Sequence, residues 1–424
     1  MPAERSAVQE CDVAIVGGGM VGAALAAGLA GTGLSIVVLD AEAPVEPSRT
    51  APSSVHEVEP RVSALTYATQ TLLERLGAWQ HMLPARVCAY GAMDVWDADG
   101  TGAVHFDAAD TGTAALGWIT ENRLLTAALH KACAVHRNID WRAPVRVRGF
   151  SRQSGRWLVQ AEGVTLSARL LVGADGAQSQ VREQTGFRTR QQDYRHRALV
   201  ATVETELPHE HCARQRFMET GPLAFLPLAD GNRRHRLCSI VWSTSPEEAD
   251  RLLALDDAAF AVELGHALED RLGQVMAVSR RFAFPLIERH ADHYVQDNVV
   301  LVGDAAHTVH PLAGQGVNLG FLDAATLAEE IAGNMARGLP FDEPLALRRY
   351  ERRRKLHNTV MQKSFAGFKR LFEARALPVR WLRNTGMGLL DNAAPLKVLV
   401  ARQAMGLDGD LPALCRPAPR GAGL

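Results

Sequence analysis

The sequence predicts an α/β protein: a Rossmann-like domain with an inserted β-sheet domain and a helical C-terminal region. Three observations predict it. A strand, a glycine turn, a helix and a second strand open the chain at residues 12–40. Near the other end, an apolar strand runs into an acid and a glycine-rich loop over residues 302–320. Between them, from about 197 to 284, the texture changes to strand-like runs followed by amphipathic helix.

The opening unit reads residue by residue. Asp12-Val13-Ala14-Ile15-Val16 is a short apolar strand, and Gly17-Gly18-Gly19-Met20-Val21-Gly22 after it matches G-x-G-x-x-G. A small-residue helix over 23–30 and a strand, Ser35-Ile36-Val37-Val38-Leu39, complete a βαβ unit that ends on Asp40. An acid about twenty residues past the glycines is what dinucleotide binding requires. Gly17 allows the tight turn, Gly19 lets a pyrophosphate approach, Gly22 lets helix and strand pack closely, and Asp40 can accept from an adenosine ribose hydroxyl.

The rest of the composition narrows the class. A chain of 424 residues exceeds one small core. Hydrophobic residues make up 47% and charged residues 22%, ordinary for a globular protein, and a net charge of −1 excludes a global field for nucleic acid. Cys11, Cys88, Cys133, Cys212, Cys238 and Cys415 form no C-x-x-C pair, disulfide framework or zinc spacing. They read as core thiols of a reducing compartment, and no metal is expected. Residues 1–10 lack the apolar core of a signal peptide and no apolar run reaches transmembrane length, which reads as cytoplasmic.

The second motif is Val302-Gly303-Asp304, after the apolar run Asn298-Val299-Val300-Leu301. Asp304 arrives at a strand's carboxyl end and suits a ribose hydroxyl. Backbone N–H groups around Gly314, Gly316 and Asn318, at a helix N-terminus, suit negative charge. Pro311 stiffens the loop. His307 and His310 are the loop's candidates to handle a proton, and a structural histidine is the favoured reading over an acid–base role. A further apolar strand ends in Asp175-Gly176.

This combination of residues 17–22, Asp175-Gly176 and Gly303-Asp304 resembles the single-component flavin aromatic hydroxylases. Arg61-Val62-Ser63-Ala64-Leu65 and the long loop through Gly320 narrow the likeness to the ubiquinone-biosynthesis hydroxylases. Val95-Trp96-Asp97, Glu121-Asn122-Arg123 and the segments 221–228 and 238–246 look like the branch that hydroxylates 2-octaprenylphenol. The resemblance spans about 11–390. It implies one non-covalent FAD, NAD(P)H as transient reductant, dioxygen, and a prenylated phenol or quinol hydroxylated at ring carbon five through a flavin hydroperoxide. It also puts Arg61 near the ribityl chain, Asn122 and Arg123 at the flavin, and Asp175 and Gly176 near the pyrophosphate and the nicotinamide's path. Two other readings stay open: another flavoenzyme reaction on the same fold, either a different ring-hydroxylation step or a prenyl reduction, and a non-catalytic flavin-loaded subunit of a quinone-biosynthesis complex. A redox cysteine pair is missing, which disfavours disulfide reduction.

The expected division is an FAD-binding part over 1–196 (with a small sheet that could join the substrate domain), a substrate insertion over 197–284, a second FAD-binding part over 285–345 and helices over 346–424. Leu223, Phe225, Leu226 and Ile240 are the candidates to line an apolar substrate channel, and residues 245–272 read as amphipathic helix. Between Arg348 and Arg383 stand twelve Arg and Lys against Glu351 and Glu373. That stretch reads either as a peripheral contact with the inner face of a membrane or as a solvated basic face over a core stripe. A biosynthetic complex or a homo-oligomer is compatible with it. Residues 405–424 read as frayed.

Overall fold

The computed structural model describes residues 8–417 except 49, 83, 99, 232–233, 309–315 and 374–376. Its first sheet sets five strands parallel and side by side: Ile139–Arg142, Ile36–Leu39, Val8–Val16, Val164–Gly173 and Val299–Leu301. Val295–Gln296 adds an antiparallel edge, and Val147–Gln153 and Arg156–Ala161 extend the sheet antiparallel from Val164–Gly173. The central strands are buried, as parallel strands covered on both faces must be. The helix Met20–Leu29 lies on this sheet and buries Ala23, Ala24, Leu25, Ala26 and Ala27. Its small side chains let the helix Gly316–Ala336 come close: a Cβ on Gly28 would stand 3.2 Å from the Ala328 Cβ.

A second sheet runs in the order His307–Thr308, Phe282–Ala291, Thr189–Thr205, Leu237–Thr244, Gly221–Pro227, Cys212–Met218, Ala92–Asp97 and Ala103–Asp107, with Val275–Val278 also paired to Thr189–Thr205. It therefore reaches beyond the 197–284 segment. The hairpin of Ala92–Asp97 and Ala103–Asp107 joins it because Ala92–Asp97 pairs in parallel with Cys212–Met218. A three-stranded sheet of Val62–Leu65, Gly117–Glu121 and Cys88–Tyr90 lies between the two.

Two local expectations change. The 245–272 stretch is not one helix but two, Pro246–Ala254 and Asp257–Ala267. Asp256 caps the second by accepting from the Ala259 N–H at 2.7 Å, which satisfies an orphan donor that a continuous helix would not have. Residues 405–417 are packed rather than frayed. Met405, Leu411 and Cys415 are buried, and Arg75 donates to the carbonyls of Ala413 and Arg416. All six cysteines are buried free thiols.

The substrate-lining expectation needs a larger correction. Leu223, Phe225 and Ile240 point to the back of the second sheet, into a closed core with Leu199, Trp242, Leu252, Phe260 and Leu264 beneath the two short helices. Side chains alternate across a strand, so the neighbouring Ala224 and Leu226 face the other way. Those two pack with Val55, Ala64, Tyr90 and Ile119, toward the parallel-sheet half. Only Leu226 of the four candidates is on that front face.

Phe225 is 1% exposed. Phe225→Ala should cost about 3–5 kcal/mol of unfolding free energy in a denaturant titration. The remaining folded fraction should bind its cofactor normally, since the ring lies behind the sheet.

Candidate active site

The parallel register brings the sequence motifs together. Val16 pairs with Gly173 and with Leu39, and Gly173 pairs with Leu301, so these residues form one row. The next residues in each strand are Gly17, Ala174, Val302 and Asp40, all at the carboxyl edge. Backbone bonds stitch them: Gly17 N–H to Leu39 carbonyl at 2.8 Å, Ala174 N–H to Val16 carbonyl at 2.8 Å, Val302 N–H to Gly173 carbonyl at 3.0 Å. Ligands of open α/β sheets bind at this edge.

The glycines differ in what they do there. Gly17 has φ +102°, and a Cβ on it would meet the Ala174 carbonyl oxygen at 2.3 Å. A Cβ on Gly22 would sit 1.9 Å from the Gly17 carbonyl oxygen, so this glycine lets the helix meet the turn. Gly19 is different: nothing lies within 4 Å of its would-be Cβ. That open space adjoins the N-terminus of Met20–Leu29, where unpaired N–H groups favour an anion. Gly303 (φ +59°) and Gly320 close around the Val21 side chain, which joins the glycine turn to the Asp304 turn.

Asp40 accepts from the Gly18 N–H at 2.6 Å and from the Glu42 N–H at 2.8 Å, which fixes its carboxylate at the turn. Asp304 is exposed and makes no hydrogen bond with the described residues. Desolvation by the surrounding protein pushes its carboxyl up, while the His307 and Arg61 charges pull it down. Arg61 is exposed too, with its guanidinium 6.0 Å above the Phe284 ring. Open space at Gly19, the exposed acid Asp304 joined to that turn through Val21, and the Arg61 cation whose charge acts on Asp304 fit a dinucleotide.

Other expected site residues have protein partners. Asp175 accepts from the Ser179 hydroxyl and from the Val181 N–H, and Gly176 beside it is in the left-handed region at φ +79° with open space around it. Burial raises the Asp175 carboxyl above its usual range. Asn122 accepts from the Ser63 hydroxyl at 2.7 Å. Arg123 gives its guanidinium to Glu121 at 2.8 Å and to the Glu57 carbonyl at 3.0 Å; Glu121 is buried and also holds Arg86. The Asn318 amide accepts from the Thr69 hydroxyl at 2.7 Å and donates to the Ala64 carbonyl at 2.8 Å. Its side chain ties the start of Gly316–Ala336, the helix that Gly316 opens, to the small sheet. His310, Pro311 and Gly314 lie outside the described residues.

His307 is not an acid–base residue of the cleft. It is 2% exposed and meets Asp323 at 2.5 Å. Asp323, fully buried, also accepts from the Gly303 N–H at 3.0 Å, the Arg354 Nε at 2.8 Å and the Asn358 amide at 3.1 Å. Burial alone would raise this carboxyl, but the charges of His307 and Arg354 outweigh it and hold it below the usual range. The network continues through Asn358 to Tyr294, from Tyr294 to His290 at 3.0 Å, and from His290 to Gln362, which donates to the Arg289 carbonyl at 3.1 Å and the Thr308 carbonyl at 3.4 Å. Both ends of the Asp304 turn, Gly303 and Thr308, are thus held by one polar circuit.

Sequence reasoning missed Asp323 on Gly316–Ala336 and its partners Arg354, Asn358 and Gln362 on the helix Pro344–Glu373, whose spacing of four shows only once that helix has a buried side. It also missed Arg182, 5% exposed, which donates to the Ala305 carbonyl at 3.1 Å and the Ala177 carbonyl at 2.9 Å. That guanidinium clamps the Asp175 turn to the Asp304 turn.

Comparison with known proteins adds to this geometry. A family model described as FAD binding domain matches residues 10–363. The chain is 38% identical over 424 residues to the ubiquinone hydroxylase UbiL of Rhodospirillum rubrum, covering 99% of this chain and 95% of that protein. It is 36% identical over 400 residues to the 3-demethoxyubiquinol 3-hydroxylase of Escherichia coli (strain K12), covering 94% and 99%. The crystal structure of the p-nitrophenol 4-monooxygenase PnpA from Pseudomonas putida DLL-E4 superposes with a TM-score of 0.73 at 19% identity, covering 94% of this chain and 99% of that one, a likeness of fold.

Two outcomes test the site. Gly19→Val has room in the fold, so the variant should fold with unchanged circular dichroism yet purify without yellow flavin absorbance; full flavin content would refute the placement. Asp323→Asn should destabilise by about 3–5 kcal/mol near neutral pH, since it leaves Arg354 and His307 without their anion. The Asp323 contribution is complete above the unfolded carboxyl value, about 4, and is lost as pH falls below it through the depressed folded value. Denaturation midpoints of wild type and variant should therefore converge in acid.

Proposed function

This chain belongs to the FAD-dependent hydroxylases of ubiquinone biosynthesis, and on that footing we propose that it hydroxylates the ring of a polyprenylated phenol at carbon five. It is a flavin monooxygenase, with FAD as cofactor and NAD(P)H as reductant. The observation that supports this reading is the carboxyl edge that gathers Gly19, Asp40 and Asp304, with the Arg61 charge acting on Asp304, in a chain whose relatives are named as ubiquinone and demethoxyubiquinol hydroxylases.

When bound, FAD supplies the oxygen chemistry that side chains lack. The protein's part is binding, orientation and exclusion of water. In this reading the Met20–Leu29 N-terminus and Gly19 receive the pyrophosphate, and Asp40 and Asp304 use remaining lone pairs for hydroxyl groups of the cofactor. Arg61 and the N-terminus of Gly316–Ala336 supply positive potential on the cleft side. Arg123, Asn122, Asn318 and Asp175 act one step back, through the segments they fasten. Phe284, exposed beside Arg61 on the front of the second sheet, belongs to the apolar wall for the substrate, with Leu226 packed in the core of that same face.

The ring position rests on the likeness of segments 221–228 and 238–246 to phenol hydroxylases, whereas the E. coli relative's name specifies carbon three of a demethoxyubiquinol. Turnover with labelled dioxygen and each candidate substrate separates these. We expect one heavy oxygen in the product, at carbon five of a prenylphenol by NMR. Label taken from water, or a product gaining only hydrogen, would refute the monooxygenase reading of this substrate; label at carbon three would move the position.

A further inference from the structure

We propose that the outward face of the helix Pro344–Glu373 docks this enzyme on an anionic lipid bilayer. The inference rests on the reading of a lipid-tailed substrate and names the surface that would meet its source. The helix has 30 residues and two opposed faces. Inward, Leu347, Tyr350, Arg354, Asn358 and Gln362 are buried against the Asp304 turn and its supports. Outward, about 180° away, Leu345, Arg348, Arg352, Leu356, Val360 and Lys363 recur at steps of three and four, a stripe of about 120°.

Among the eight cations of this stretch whose side chains are described, five are already engaged. Arg349 is bonded to Glu330, Arg353 to Glu329, Glu330 and Asp410, Arg354 to Asp323, Lys355 to the Asp292 carbonyl, and Arg383 to Asp97. These cations belong to the fold and are not offered to a partner. Arg348, Arg352 and Lys363 are exposed and have no carboxylate partner among the described residues. Between them stand Leu345 at 61% exposure, Leu356 at 69% and Val360 at 53%. No stripe position is acidic, and the nearby Glu351 is turned to the Tyr294 N–H at 2.9 Å and to His293.

Unpaired cations alternating with exposed aliphatic side chains on one helical face complement an anionic interface: the cations take lipid phosphates and the apolar groups enter the acyl boundary. No helix of the described residues is long and apolar enough to cross a membrane, so the contact is peripheral. The opposite face of the same helix is bonded through Arg354 and Gln362 to the supports of the Asp304 turn, so docking would fix the protein by the helix that backs this turn.

The test is co-sedimentation of the FAD-loaded full chain with phosphatidylcholine vesicles, with and without phosphatidylglycerol. Wild type should bind the phosphatidylglycerol vesicles at low salt and release as salt rises. Each lost cation should lower the partition about fivefold, so the triple variant Arg348→Gln, Arg352→Gln, Lys363→Gln should lose about a hundredfold. Leu356→Ser with Val360→Ser should weaken binding several-fold while keeping its salt dependence. Both variants should turn over a short-tailed soluble phenol at the wild-type rate. No binding at low salt, equal binding to phosphatidylcholine alone, or a triple variant that binds like wild type would overturn the proposal. So would loss of self-association in place of loss of vesicle binding, which would give the face to a second copy. A protein that hydroxylates phenols but ignores vesicles fails only the docking surface; one that docks yet hydroxylates no phenol sustains the surface and fails the reaction.

Discussion

A single buried carboxylate holds the active half of this molecule together. Asp323 has no exposure and accepts from a backbone N–H, a histidine, an arginine and an amide at once. A lone carboxylate in that position would cost several kcal/mol in desolvation; with Arg354 and His307 it stays ionised and its lone pairs are filled. The arrangement is demanding, because removing either partner leaves the other uncompensated. Its consequence is positional: the Gly303 N–H can reach Asp323 only if the Asp304 turn sits at the carboxyl edge of the parallel sheet, level with the Gly17 turn.

That constraint explains the odd composition of the long C-terminal helix. A run of four consecutive cations, Arg352 to Lys355, is distributed around the helix by its 100° step. Arg354 goes to the core, Arg353 and Lys355 go to flanking carboxylates and carbonyls, and Arg352 goes to solvent. One stretch of sequence thus serves the core, the flanks and the surface. Asn358 and Gln362, one and two turns beyond Arg354, carry the same circuit along to His290 and Thr308.

The second sheet shows a simpler version of the same logic. Its central strands, Gly221–Pro227, Leu237–Thr244 and residues 198–203, are largely apolar on both faces, because the back is sealed by two short helices and the front packs against the small sheet and the C-terminal helices. Phe217 stacks on Phe372 at 3.9 Å on that front face, while Phe225 is enclosed at the back. An apolar residue in such a strand can belong to a substrate wall or to a sealed core, and the two differ by one position along the chain.

Local signals were enough for the dinucleotide half. Spacing alone placed Gly17, Gly19, Gly22 and Asp40, because a βαβ unit is a short-range object whose turn chemistry must be written in adjacent residues. The same holds for the strand that ends at Asp304, and for the low-period texture of the second sheet. Tertiary structure decided the rest. It set which face Phe225 and Leu226 take, since both alternations are apolar and only packing breaks the tie. It turned His307 inward, gave Arg123 and Asn318 to neighbouring segments, and paired Arg354 with an acid 31 positions away. Those outcomes depend on long-range contacts between elements, and a chain read in order holds the residues of each contact without recording that they meet.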